Sequence, residues 1–449
     1  MSIKIAIIGA GSATFSLSII RDLCLTPNLA DATISFMDID PARLDCAHAL
    51  AARYAQKVGA RLKLEKTTER LEALSGADFV LNAALAAGHH RLREGWQIAQ
   101  KHGYRMGGSL HIMHDEAFWI NFYQLRLFES LAQDILRVCP NAWYLQIANS
   151  VLSGITLLGR NYPQINLVGL CHGYGGVYHI IRQLGLDPAE CEFELPGVNH
   201  FLFLTRLYHK GQNAFPLLER WIAEQSQNYW QTCGQSNEMG PAPVDVYKRY
   251  GVFPIGDTST PGGGSWPWWY HTDPETEARW KEAPLSWYLE DYFPYLQRNL
   301  AEIRRVSQDP AADPLELVGA EKSNESFIPI IESISCGIPR TFIVNIPNTG
   351  EFVPGLPRDF AVEIPARVGA AGIQGIHTHR LPRPILAHIL RDRVAPVEME
   401  LAAYEQRSRQ LLLQLVLMDP WTRSEAQANA FLDEILSLPY HEEMREHYR

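Results

Sequence analysis

The stretch Ile3-Lys4-Ile5-Ala6-Ile7-Ile8-Gly9-Ala10-Gly11-Ser12 decides the fold. A short, nearly continuous apolar run is the mark of a strand buried on both faces of a parallel sheet. The glycines that follow permit a tight turn, and from Ala13 to Leu25 the apolar positions recur at helical spacing, ending before Pro27. Strand, glycine turn and helix in that order let backbone approach a pyrophosphate while the helix N-terminus faces its charge. Position three of the dinucleotide fingerprint is Thr14, where Gly or Ala is usual, so the glycine pair counts through its setting. Gly9, Gly11, Ser12, Ala13 and Thr14 are therefore candidate cofactor contacts. The next strand, Thr33 to Met37, ends at Asp38, where an acid accepts hydrogen bonds from the adenosine ribose hydroxyls. Its charge would repel the 2′-phosphate of NADP, so the expected cofactor is NAD.

Working outward, Pro41 starts a helix that runs to about Lys57. Asp78 to Asn82, Ala142 to Ile147 and Asn166 to Leu170 read as further strands, and Asn82 joins the candidate cofactor contacts. Short apolar strands spaced by helices predict an α/β fold with a Rossmann-like, doubly wound parallel sheet. After about residue 171 the texture changes. Helical segments are expected near Gly175–Leu184 and Pro216–Gln227, then a Pro/Gly/Trp-rich loop from Pro254 to Tyr270. Strand-like runs follow near Phe342–Val344 and Phe360–Val362, and long helices from Arg383 onward. The expected division is a cofactor domain over 1–170 and a larger mixed α/β, helix-rich domain over 171–449, as in lactate and malate dehydrogenases.

With 449 residues the chain is too long for one ordinary core. A net charge of −10 argues against a nucleic-acid-binding surface, which needs clustered Lys and Arg. No apolar run reaches the length of a membrane span, and Met1-Ser2 leads straight into the first strand, so the expected location is cytoplasmic. Seven scattered cysteines without a CxxC pair predict free thiols.

Among the residues that could carry chemistry, Cys171 and His172 follow directly on a strand, at the carboxyl edge where open α/β sheets bind ligands. Gly197-Val198-Asn199-His200 offers a second imidazole. Two donors so far apart read more readily as a buried thiol and a loop histidine than as a metal site. Asp115 precedes a helix expected near Phe118, where it would also serve as N-terminal charge, and Asp257 lies in Pro254-Ile255-Gly256-Asp257-Thr258, where it would also serve a turn. Trp266, Trp268 and Trp269 suit core packing as well as sugar stacking.

These segments, taken together and in order, resemble the family 4 glycoside hydrolases over essentially the whole chain. The resemblance runs through Ile7 to Ser12, Met37-Asp38-Ile39-Asp40, Trp143 to Asn149, Cys171-His172-Gly173, Gly197 to His200 and Pro254 to Thr258. Val344-Asn345-Ile346-Pro347-Asn348 and Glu434 to Pro439 resemble the α-glucosidase branch. The resemblance implies catalytic NAD and a divalent metal, usually manganese, held by Cys171 and His200. It makes Asn149 a substrate contact, although Ser150 stands where the family carries Pro. His172, where enzymes acting on phosphorylated sugars usually carry Asn, implies an unphosphorylated α-glycoside. Asp257 falls at the position of the proposed base, while Thr260 replaces an Arg of the branch. The implied chemistry is transient oxidation at C3 of the sugar, removal of the C2 proton by Asp257, elimination at C1, and addition of water, with Asp115 either assisting the departure or holding water. A dimer or tetramer is expected from the family. α-Glucuronides or α-galacturonides are the alternative substrates, for whose carboxylate His111, His114 and Arg93 are candidates. A simple NAD-dependent dehydrogenase is the alternative from another class.

Overall fold

The computed structural model describes residues 3–12 and 15–449. Six parallel strands form the N-terminal half of the sheet: β1 (Lys4–Ile8), β2 (Thr33–Met37), β3 (Lys63–Thr67), β4 (Phe79–Asn82), β5 (Trp143–Gln146) and β6 (Asn166–Gly169). Their order is β3-β2-β1-β4-β5-β6, the doubly wound arrangement the N-terminal pattern predicts. Between them run α1 (Ser16–Cys24), α2 (Pro41–Val58), α3 (Arg70–Leu74), α4 (His89–Lys101), α5 (Phe118–Val138) and α6 (Val151–Asn161). The start of α2 follows from local chemistry: Pro41 presets the first turn, and the Asp40 side chain accepts from the amides of Ala42 and Arg43. Successive residues of β1 face opposite sides, so Ile5 and Ile7 enter the layer of α1 and α2 while Ala6 and Ile8 enter that of α4 and α5. Both layers are apolar, which is why this strand reads as an unbroken apolar run. Strand β3, with the charged sequence Lys63-Leu64-Glu65-Lys66-Thr67, is an edge strand and gives no apolar signal.

Beyond β6 the same sheet continues with antiparallel partners. After α7 (Gly176–Gln183) come β7 (Cys191–Glu194), β8 (Gly197–Val198), β9 (Phe201–Leu204), β10 (Arg206–His209), β11 (Gln212–Asn213) and β12 (Phe253–Ile255), then β13 (Arg340–Pro347), β14 (Ala361–Gly369) and β15 (Gly372–Gly375). Strand β13 pairs with β6 through Asn345 and Gly169, β14 lies against β13, and β8, β9 and β12 follow outward. Strands β7, β10 and β11 make a small separate sheet. Helices from Arg383 to His447 pack on the α4–α5 side of the large sheet. No helix among the described residues is long and apolar enough to cross a membrane. All seven cysteines are free thiols.

Candidate active site

Three segments at the ends of strands build the site. The chain leaves β6 through Leu170 and presents Cys171. The two-residue turn between β8 and β9 is Asn199-His200, and His200 has φ 58°, a left-handed conformation that a side chain disfavours. The turn is held from below, because Asn199 Nδ2 donates to the buried Glu363 Oε2 at 2.9 Å. Strand β12 ends in a single helical turn, Gly256–Thr258, that carries Asp257. Only glycine fits at 256, since a Cβ there would stand 1.7 Å from the carbonyl oxygen of Gly173. That close approach brings the chain beyond β12 against the chain beyond β6.

The donor atoms of Cys171, His200 and Asp257 consequently lie within 4.8 Å of one another. Cys171 Sγ is 3.7 Å from Asp257 Oδ2, and His200 Nε2 is 3.4 Å from the same oxygen. The other ring nitrogen of His200, Nδ1, is 3.2 Å from Glu116 Oε1. Burial pushes the Cys171 thiol up to about 11, against the pull of His200. Burial also disfavours a charged His200, yet Cys171, Glu116 and Asp257 outweigh it and hold the imidazole well above its ordinary range. The set fits a divalent cation on two grounds. Thiolate, imidazole and carboxylate form a mixed S/N/O donor set suited to first-row metals. A cation would also stabilise the thiolate that burial alone opposes.

Asp257 sits in a narrow slot. Its Oδ1 accepts from the Thr260 hydroxyl at 3.3 Å, so the residue that departs from the family pattern is tied to the carboxylate beside it. Gly173 and Gly262 wall the carboxylate so closely that a Cβ on either would come within 2.7 Å of one of its oxygens. Asp115 lies one layer away. His114 Nδ1 is 2.9 Å from Asp115 Oδ1, and Asn149 Nδ2 donates to Oδ2 at 3.0 Å. Burial raises this acid, but His114, His200 and the Asn149 hydrogen bond hold it down at about 2. His114 also donates to the Gly262 carbonyl through Nε2 at 2.9 Å, while its Nδ1 accepts from the Glu116 amide at 3.3 Å. The Asn149 turn is anchored by its neighbour: Ser150 Oγ donates to Asn121 Oδ1 at 2.6 Å and is 2.6 Å from Ser153 Oγ. Asn121 in turn donates to the buried Glu400 at 2.6 Å.

His172 is 63 % exposed, with Nδ1 3.7 Å from Glu325 Oε1. His111 is buried against Glu400, and Arg93 lies over the Phe293 ring. Trp266 packs on Phe201 and donates to Asp392, so its place is in the core.

At the glycine turn, Gly9 has φ 80° and a Cβ there would stand 2.5 Å from the backbone of Ala84. Asp38 accepts from the Gly11 amide at 2.8 Å and from the Asp40 amide at 2.9 Å, which pins its carboxylate at the tip of β2. The Ser12 hydroxyl accepts from the Phe15 amide at 3.4 Å. Helix α1 has no side-chain cap at its N-cap Phe15 and no acid in its first turn, as an anion-receiving helix end requires. Ala13 and Thr14 lie outside the described residues. Asn82 is occupied internally: its amide donates to Tyr144 and Gln146 and accepts from Ala84, shaping the turn after β4.

Sequence reasoning passed over Glu116, Glu325 and Glu363. Glu116 is adjacent to Asp115, which was the available signal; the other two come from segments whose position only pairing and packing reveal.

Residues 4–186 match the profile described as family 4 glycosyl hydrolase, and residues 195–422 match its C-terminal domain. An α-glucosidase of Erwinia rhapontici is 26 % identical over 93 % of this chain and 94 % of its own. An α-galacturonidase of Thermoanaerobacter italicus is 24 % identical over 95 % of this chain and 94 % of its own. Among solved structures, a 6-phospho-α-glucosidase from gut microorganisms in complex with NAD and Mn2+ superposes with a TM-score of 0.80. It covers 98 % of both chains at 18 % identity, a likeness of fold.

Proposed function

We propose that this chain, which belongs to glycosyl hydrolase family 4, hydrolyses unphosphorylated α-glycosides, α-glucosides first among them, with catalytic NAD and a divalent cation such as Mn2+. The observation that carries the proposal is the meeting of Cys171, His200 and Asp257 at one edge of a dinucleotide-type sheet. The 6-phospho-α-glucosidase of like fold, which holds NAD and Mn2+, supports the choice of both groups.

In this reading the chain divides near residue 170. Gly9, Gly11, Ser12 and Asp38 hold the dinucleotide, and Asn82 shapes the neighbouring turn. Cys171 and His200 hold the cation. When bound, NAD supplies a two-electron acceptor for C3 of the sugar and the cation a Lewis acid, which together make the C2 proton removable. Asp257 is the base for that proton; Thr260 and the glycine walls fix its carboxylate, and proton transfer needs such placement. Asn149, tethered to Asp115, offers its amide oxygen to a sugar hydroxyl. Asp115 stays ionised, which suits holding the water that adds at C1 better than donating a proton from a free carboxyl.

His172 would meet the sugar beside Glu325, and that carboxylate opposes a phosphate or a uronate at close range. This favours neutral α-glycosides. The α-galacturonidase relative keeps uronides as the second reading. A panel of p-nitrophenyl α-glucoside, α-galactoside, α-glucuronide and α-galacturonide, assayed with NAD, Mn2+ and a reductant, tests the proposal. The expected result is α-glucoside turnover that needs both additions, accumulates no NADH and places solvent deuterium at C2 of the product. Turnover of uronides alone would establish the second reading, and stoichiometric NADH would replace both with a dehydrogenase.

A further inference from the structure

Asp115 and Glu116 are consecutive acids with different surroundings. Asp115 is hydrogen bonded to Asn149 and paired with His114. Glu116 has a side chain only 1 % exposed, and neither carboxylate oxygen has a hydrogen bond of ordinary geometry. His200 Nδ1 stands 3.2 Å from it, and His114 and Asp115 each bring a ring nitrogen or carboxylate oxygen within 4.8 Å. A carboxylate buried in this way needs a positive or proton-donating partner nearby. One source is the imidazole. A second is Arg393, in the widened helical turn Leu390–Val394 of the C-terminal region. Arg393 is fully buried, its guanidinium stacked 4.3 Å over Phe201 and donating to the Gly263 carbonyl, and its charge is attracted first by Asp392 and then by Glu116.

The geometry at His200 gives this pairing a consequence. Nδ1 points to Glu116 while Nε2 points to the side of Asp257 and Cys171. A histidine ligand must present a lone pair to the metal, and the hydrogen bond made by its other nitrogen decides which nitrogen that is. We infer that Glu116 is a positioning residue of the metal centre: its carboxylate, 3.2 Å from His200 Nδ1, favours the ring proton on that nitrogen, so that the Nε2 lone pair faces Cys171 and Asp257. The inference rests on the proposed reading of Cys171 and His200 as the cation ligands.

The test measures Mn2+ affinity of the full-length protein by electron paramagnetic resonance of free Mn2+, alongside thermal unfolding of the metal-free protein. Glu116→Gln keeps the shape but weakens the acceptor, and is expected to lower Mn2+ affinity about 10- to 100-fold. Its metal-free unfolding midpoint should stay near that of the wild type. If Glu116→Gln folds poorly, Glu116→Asp carries the test: its shorter reach is expected to give a smaller loss of affinity in the same direction. Wild-type affinity in a folded Glu116 variant overturns the inference. Cys171→Ser separates the two levels. Loss of Mn2+ binding there, with a wild-type Glu116→Gln, removes the role of Glu116 alone; wild-type binding in Cys171→Ser removes the metal-centre reading and this inference with it.

Discussion

Gly173→Ala tests the base assignment without touching the base. A Cβ at 173 would lie 2.5 Å from Asp257 Oδ2 and 2.9 Å from its Cγ, whereas ordinary contact begins at 3.4 Å. The carboxylate must therefore retreat by about 1 Å, and misplacement on that scale costs on the order of 100-fold in rate. Retreat is confined on the other side by Gly262, whose own Cβ position is only 2.7 Å from Oδ1. Residue 173 lies outside the left-handed region, so alanine carries no backbone penalty there. The expected outcome is a fall in kcat of about 100-fold, equivalent to about 2.7 kcal/mol of transition-state stabilisation. The thermal unfolding midpoint should change by only a few degrees. The assay is steady-state turnover of p-nitrophenyl α-glucoside with NAD and Mn2+, paired with the rate of deuterium exchange at C2. Because the displaced group is the proposed base, exchange and turnover should fall together. A variant whose kcat and exchange both stay within about threefold of wild type would refute the reasoning, since the base could not then depend on this slot.

Two further outcomes follow from the same structure. Peroxide treatment of the Mn2+-loaded protein, in which the cation would hold Cys171 as thiolate, should remove Mn2+ binding and activity in parallel, with thiol reductants restoring both after brief exposure; activity that survives loss of the thiol would rule Cys171 out as a ligand. Glu282, buried against Ser236 and remote from the candidate ligands, is pushed by burial up to about 8, so the folded state holds a proton that the unfolded chain releases near 4.5. Its contribution is present below 4.5 and lost as pH rises through 8, so Glu282→Gln should flatten the decline of the unfolding midpoint between about pH 5 and pH 8; an unchanged slope would contradict this.

Much of the fold was legible because it is written in local, repeating terms. The buried run of β1, the glycines after it and the proline at the start of α2 each state their conformation within a few residues, and the structure places all three as read. The edge strand β3 was not legible: exposed on both faces, it needs no apolar pattern. The far half of the sheet was only partly so, because β8 and β12 are two and three residues long and owe their pairing to distant partners.

The same limit governs the site. From the residues alone, Cys171, His200 and Asp257 are scattered loop positions, each with an ordinary structural explanation, and only likeness to a known family joined them. What joined them physically is tertiary: the left-handed turn at His200 held by Asn199 and Glu363, and the contact of Gly256 on Gly173 that folds the end of β12 back on the end of β6. Glu116 shows the division most clearly. Sequence places it beside Asp115 at the start of a helix, but its partner His200 lies on another chain segment, and a long-range contact leaves no periodic trace. The sequence by itself determined the strand–turn–helix at the N-terminus, since hydrophobic periodicity and backbone freedom are local properties. Only the tertiary structure decided which thiol, imidazole and carboxylates share one small volume.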